Sequence, residues 1–304
     1  MRTQTKVNWK WACGTKNGGS MKKTIRVETK QKCWSLVEDI TYAAVPAWYG
    51  STYRSMKCSI CMPKVREEGV KYPLLVWFCG GAFKVMDKDV WWPQWMEFAR
   101  EGCVVASVEY RTSNEAVFPA ALTDAKAAIR YLKANAEAYG IDRDRVFVAG
   151  ESAGGALASL VGVTGDNYNE GEFLSYDSRV CGVIDFYGLV DMTGPVDGNA
   201  QNMTFGANEQ FIGVEGDSKA LKKEASAVSH ISRDTPPFLI FHGDKDDLVS
   251  VSQSDLLYEK LCKAGARADY YILEQEGHGA DAFYQREILD IVRAFMESVA
   301  GKEK

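Results

Sequence analysis

From about residue 33 onward the chain alternates between short β-rich apolar runs and stretches with helical spacing. Strands are predicted at residues 36–42, 57–62, 74–78, 104–108, 146–149, 180–186, 238–241 and 270–273. The later ones are continuous apolar runs, as expected for parallel strands covered on both faces. The first two alternate more and suit an antiparallel edge of a mixed sheet. Between them lie helical patterns. Over 119–139, Leu122, Ala125, Ile129, Leu132 and Ala136 recur at three- and four-residue steps, and Gly140 supplies a C-terminal stop. Small residues over 155–163 follow the fifth strand, 254–264 follows the seventh, and 281–299 closes the chain. Strand–helix alternation implies right-handed crossovers, helices on both faces, and ligands bound beyond the C-terminal ends of the strands. The predicted class is therefore α/β, with an eight-stranded, mostly parallel sheet. No internal repeat or low-complexity segment interrupts it, so one catalytic domain over 21–304 is the simplest organisation.

Composition narrows the partners more than the fold. The 304 residues are 46% hydrophobic and 25% charged, as in an ordinary soluble protein with a sizeable core. A net charge of −5, with no basic stripe, leaves no electrostatic footprint for nucleic acid or an anionic lipid surface. No apolar run approaches the roughly 18 residues of a membrane helix. A homodimer is compatible with this composition. Eight cysteines are too sparse for a disulfide scaffold in a chain this long. Cys58 and Cys61 form a C-x-x-C, but no second pair or nearby histidine completes a zinc site, and in a strand the two point to opposite faces. No metal or cofactor is expected. Residues 1–20 are basic and polar and lack the apolar stretch of about 7–15 residues that a secretory signal needs. They read as an added leader or a disordered arm before Met21, and the expected location is cytoplasmic.

Candidate chemistry centres on Gly150-Glu151-Ser152-Ala153-Gly154. The pattern alone is common and can be a glycine-rich turn, but here it joins an apolar strand to a small-residue helix. A serine on such a turn is held above the sheet, and the following N–H, from Ala153, can face a developing oxyanion. A serine hydroxyl needs a base. Of three histidines, His242 ends a strand and orders its loop, and His230 has no catalytic context. His278, in Glu276-Gly277-His278-Gly279, lies on a flexible loop between the last strand and the last helix and is the predicted base. The order Ser, Asp, His directs attention to Asp244, Asp246 and Asp247 after the seventh strand. Side-chain chemistry does not choose among them. Gly80 and Gly81, after the third predicted strand, are with Ala153 the predicted oxyanion donors. Glu151 is read as a structural carboxylate, or one that supports the site residues, rather than as an acid catalyst.

Together these segments resemble the hormone-sensitive-lipase-like and related carboxylesterases. Cys79-Gly80-Gly81-Ala82-Phe83 is similar to their His-Gly-Gly-Gly motif. Tyr110-Arg111, Glu115, Phe118-Pro119-Ala120-Ala121, Asp142-Arg143-Asp144-Arg145-Val146 and Pro236-Pro237-Phe238-Leu239-Ile240 continue the match. So does His242-Gly243-Asp244-Lys245-Asp246-Asp247-Leu248-Val249. The resemblance covers roughly 35–300 and extends to the compact bacterial esterases, acetyl and feruloyl esterases of plant polysaccharides among them. It implies the α/β-hydrolase fold, a metal-independent acyl-enzyme mechanism, and Asp246 as the acid, because the family's aspartate stands three before the valine. Cys79 replaces the family's histidine and Ala82 its third glycine, which bears on the exact shape of the oxyanion loop.

Two segments are placed near the site. The aromatics of 90–95 (Trp91, Trp92, Trp95) fit either an acyl or aryl pocket or the core, and helical spacing favours core. Residues 191–217, polar and containing Phe205 and Phe211, are a candidate small cap, too short and polar for a lipase lid, so small soluble esters rather than triglycerides are the expected substrates. Residues 166–176 read as a further surface loop. A peptidase or amidase with the same triad is disfavoured by the absence of an accessory propeller or exopeptidase domain. A non-catalytic ligand receptor on this fold is disfavoured by His278.

Overall fold

The computed structural model describes residues 22–29, 32–194, 207–213 and 219–301. The leader expected at 1–20 lies outside them. Residues 22–29 are exposed and without regular structure. The compact unit carrying every described strand runs from Lys32, rather than from Met21.

Its strands are β1 (Trp34–Ala47), β2 (Thr52–Pro63), β3 (Tyr72–Phe78), β4 (Val104–Val108), β5 (Ile141–Glu151), β6 (Gly182–Phe186), β7 (Phe238–Gly243) and β8 (Ala268–Leu273). They form one sheet in the order β1-β2-β4-β3-β5-β6-β7-β8. β2 runs antiparallel to both β1 and β4, and the pairs from β4 through β8 are parallel. Each predicted strand is present. β1 and β2 are longer than their apolar pattern, because pairing continues through polar residues to Ala47↔Thr52 at the hairpin end. β8 departs from expectation: it is an edge strand, with Tyr271 and Ile272 exposed, so its apolar run is not covered on both faces.

The helices are α1 (Trp92–Arg100), α2 (Ala120–Ala134), α3 (Ala136–Tyr139), α4 (Ala153–Val163), α5 (Ala207–Ile212), α6 (Lys219–Glu224), α7 (Ser252–Ala264) and α8 (Arg286–Ala300). The pattern read as one helix over 119–139 breaks at Asn135, whose Nδ2 donates to the Tyr131 carbonyl at 2.9 Å and competes with the helical ladder. The pattern over 281–299 likewise divides into a 3₁₀ turn, Asp281–Tyr284, and α8, because Gln285 is extended.

Two apolar layers sandwich the sheet, and alternate residues of each strand feed opposite layers. Leu74, Val76 and Phe78 join α2, α4 and α7 on one side, while Leu75 and Trp77 join α1 and α8 on the other. Fully burying each such side chain contributes about 1.5–3 kcal/mol. Cys58 and Cys61 are divided the same way, one in each layer, so their thiols face opposite sides of the sheet. Trp92 and Trp95 are buried in the α1 layer, which makes them core. No helix among the described residues is long and apolar enough to cross a membrane.

Candidate active site

The C-terminal ends of β3, β5, β7 and β8 face one edge of the sheet, and the predicted site residues sit there. β5 ends at Glu151, and Ser152 forms the turn into α4 with φ 55° and ψ −120°. That left-handed backbone is costly for a residue with a Cβ, about 1–3 kcal/mol, and the packing around it enforces it. The Ser152 N–H donates to the Phe186 carbonyl at 2.9 Å, and α4 starts when Ala156 N–H donates to the Ser152 carbonyl at 3.0 Å. A Cβ at Gly154 would collide with the Phe78 carbonyl, so only glycine lets β3 approach the turn.

His278 comes from the loop after β8. Its Nε2 lies 2.9 Å from Ser152 Oγ, and its Nδ1 lies 2.7 Å from Asp246 Oδ2. A carboxylate only accepts, so Nδ1 carries the proton and Nε2 offers its lone pair to the serine hydroxyl. The acid and histidine loops are fastened together: Lys245 N–H donates to the Glu276 carbonyl at 3.0 Å, and Gln275 N–H donates to Asp244 Oδ1 at 2.7 Å.

Of the three aspartates, Asp246 is the one whose side chain is buried and reaches His278. Asp244 binds the loop backbone and Asp247 is exposed. Asp246 Oδ1 accepts the N–H groups of Leu248 and Val249 at 2.9 and 2.8 Å. Burial alone would raise its pKa, but hydrogen bonds from His242, His278 and Val249 outweigh burial and hold it well below the usual carboxylate range. His242 is buried, with Nε2 3.3 Å from Asp246 Oδ2 and 2.9 Å from the Val249 carbonyl, and Nδ1 2.7 Å from Ser254 Oγ. It does order the loop, and its Nε2 also lies against the acid, a contact that sequence order did not reveal. His230 binds the Glu224 carbonyl at 2.7 Å, away from this cluster.

The glycine loop after β3 requires a correction. The N–H of Gly80, one of the predicted oxyanion donors, donates to Glu151 Oε1 at 2.7 Å and is committed there. Among the described residues no group accepts the N–H of Gly81 or of Ala153. Gly81 adopts φ +129°, where a Cβ would strike the Val85 carbonyl, and its own carbonyl accepts from Lys84 and Val85 at 3.0 and 3.1 Å. Tyr110 OH fastens the loop from below through the Cys79 carbonyl at 2.6 Å. Ala153 opens α4, so its N–H adds the positive end of the helix dipole. Burial, with Glu151 alongside, pushes the Cys79 thiol up to about 12, which keeps it protonated and unsuited to a nucleophile's role.

Trp91 splits from its tryptophan neighbours. Its indole N–H donates to Glu151 Oε1 at 3.3 Å, and its ring stacks on Tyr284 at 4.1 Å. Tyr284 OH lies 3.1 Å from Tyr187 OH, and the Tyr187 ring is 4.7 Å from that of His278. Much of the candidate cap, including Phe205, lies outside the described residues. Within the described part, α5 packs Phe211 in a 3.8 Å stack on Phe83 of the glycine loop after β3. The 166–176 loop is held by α2 instead: Arg130 donates to the carbonyls of Glu170 and Glu172 and to Asn169.

Comparison with known proteins places this geometry in context. The BD-FAE family profile matches residues 58–261, a span that includes Ser152 and Asp246 and ends before His278. Esterase LipQ of Mycobacterium tuberculosis (strain ATCC 25618 / H37Rv) is 29% identical over 240 residues, 77% of this chain and 57% of LipQ. The chain spans about half the length of the curated relatives it matches. Among solved structures, a truncated form of carbohydrate esterase from gut microbiota aligns with a TM-score of 0.75 at 25% identity, over 90% of this chain and 98% of that one. Est2 of Thermogutta terrifontis with propionate bound aligns at 0.72 and 25% identity, over 86% and 94%.

Proposed function

The chain belongs to the BD-FAE family of α/β-hydrolase esterases, and from that premise we propose that it is a serine carboxylesterase with Ser152 as nucleophile, His278 as base and Asp246 as the supporting acid. The observation that carries the reading is the continuous hydrogen-bonded line from Asp246 Oδ2 through His278 to Ser152 Oγ, at 2.7 and 2.9 Å, on a strained strand-to-helix turn.

As Ser152 Oγ bonds to the ester carbonyl carbon, its proton passes to His278 Nε2, and Asp246 stabilises the imidazolium. The carbonyl oxygen becomes an oxyanion facing the N–H groups of Gly81 and Ala153. His278 then gives the proton to the departing alcohol oxygen, leaving an acyl group on Ser152. Water repeats the sequence: it loses a proton to His278, its hydroxyl adds to the acyl carbon, and the proton returns to Ser152 Oγ as the acid leaves.

Small soluble esters are the proposed substrates, with acetyl or feruloyl esters of plant carbohydrates foremost. Support comes from the carbohydrate esterase likeness and from the aromatic chain Trp91–Tyr284–Tyr187, which ends against His278 and would suit a site for a short acyl or a flat aryl group. A fluorophosphonate probe should label the wild type and leave Ser152→Ala unlabelled; an unlabelled wild type would sink the assignment. A panel of acetyl, butyryl, feruloyl and long-chain esters with acetylated xylan ranks the substrates, and a long-chain preference refutes the carbohydrate-ester part.

A further inference from the structure

Glu151 immediately precedes the nucleophile, is buried at the end of β5, and takes no part in the proton transfers above. Its single oxygen Oε1 collects three donors from different segments: Gly80 N–H at 2.7 Å, Trp91 indole N–H at 3.3 Å and, more weakly, Cys79 Sγ at 3.8 Å. Two of those donors belong to the oxyanion loop. The third belongs to a ring that stacks on Tyr284, and so is joined through the Tyr284–Tyr187 hydroxyl contact to the ring beside His278. The carboxylate thus touches, directly or through one aromatic chain, the loop that presents Gly81 and the loop that presents His278.

We propose that Glu151 is a positioning residue: it clamps Gly80 so that the next N–H, that of Gly81, faces the oxyanion, and through Trp91 it ties the oxyanion loop to the histidine loop. Resting on the reading of Ser152 as nucleophile, this assigns a function to the residue inside the Gly-x-Ser-x-Gly turn and to the tryptophan that helical spacing placed in the core. The clamp depends on glycine at this position, because a Cβ at Gly80 would collide with the Glu151 carboxylate. The location also has an electrostatic consequence. Burial, the dominant influence on the Glu151 carboxyl, pushes its pKa upward, and the hydrogen bonds from Gly80 and Trp91 act against that rise.

The test compares Glu151→Ala, Glu151→Gln and Trp91→Phe in the full-length protein, with fluorophosphonate labelling and thermal melting recorded for each. Glu151→Ala frees Gly80 and should lower kcat about 10²-fold, the scale of losing one oxyanion donor, with KM changed less than about threefold. Glu151→Gln keeps an acceptor oxygen for all three donors and should recover most of that kcat. Trp91→Phe retains the stack on Tyr284 but not the N–H and should lose about tenfold in kcat, the scale of one hydrogen bond to a charged group. A Glu151→Ala enzyme within threefold of wild-type kcat overturns the proposal. So does a Glu151→Gln enzyme as slow as Glu151→Ala, because the amide still offers Gly80 an acceptor. If Glu151→Ala does not fold, the Gln and Phe variants decide by the same criteria. A wild type that the probe fails to label overturns the Ser152 reading instead.

Discussion

Replacing Asp246 by asparagine changes one atom, and the hydrogen bonds around the side chain dictate where that atom goes. Oδ1 accepts two backbone N–H groups, from Leu248 and Val249, whereas Oδ2 faces His278 Nδ1 and His242 Nε2. If the amide nitrogen faced the backbone, two donors that cannot change their protonation would be left opposed to a third. Facing the histidines costs less. His242 keeps the Val249 carbonyl as its acceptor, and His278 can shift its proton from Nδ1 to Nε2 to accept from the amide. That shift is what disables the site, because Nε2–H then points at Ser152 Oγ and can no longer take its proton. The expected loss in kcat is about 10⁴, the scale found where the same substitution imposes the wrong tautomer in a serine protease, or about 5.5 kcal/mol of activation free energy. The assay is steady-state hydrolysis of 4-nitrophenyl acetate against a Ser152→Ala background, with KM expected to change little. Turnover within tenfold of wild type would refute the tautomer argument and move the acid's role to another residue.

Three further outcomes follow from the same contacts. Asp246 has a depressed folded-state pKa, so its contribution to stability is complete above the unfolded value of about 3.9 and is lost as pH falls through the folded value; denaturant titrations should show the wild-type advantage over Asp246→Asn at pH 6 and a smaller one at pH 3.5. Gly154→Ala drives a Cβ into the Phe78 carbonyl and should destabilise the fold by about 1–3 kcal/mol, read as a lower denaturation midpoint; an unchanged midpoint would mean the turn can relax. Native thiol labelling followed by mass spectrometry should modify exposed Cys33 and Cys262 early and spare Cys58 and Cys103, whose burial raises their thiols to about 12, until denaturant is added; rapid native labelling of Cys103 would contradict its placement.

The sequence by itself determined the order of elements and much of the site, because those features are local. Short, valine-rich apolar runs such as Val104–Val108 fit strands buried on both faces, and the strand–Gly150–Ser152–Gly154–helix series carries its own turn geometry. His278 stood out because glycines flank it on the loop after the last strand. Resemblance, rather than chemistry, selected Asp246 from three neighbouring aspartates; the tertiary structure supplies the reason, since the turn closed by Leu248 and Val249 aims that carboxylate alone at His278. Helix breaks at Asn135 and Gln285 were hidden because apolar spacing continues across them while the backbone does not. The exposure of β8 depends on its position at the sheet's edge, which no local pattern encodes. Least legible was the division of labour in the glycine loop. Gly80 and Gly81 are identical as residues, and only the arrival of Glu151 from a strand about seventy positions later occupies one N–H and leaves the next without an acceptor among the described residues. Contacts between segments far apart in the chain decide which of two equivalent groups is available for chemistry, and those contacts exist only once the sheet has assembled.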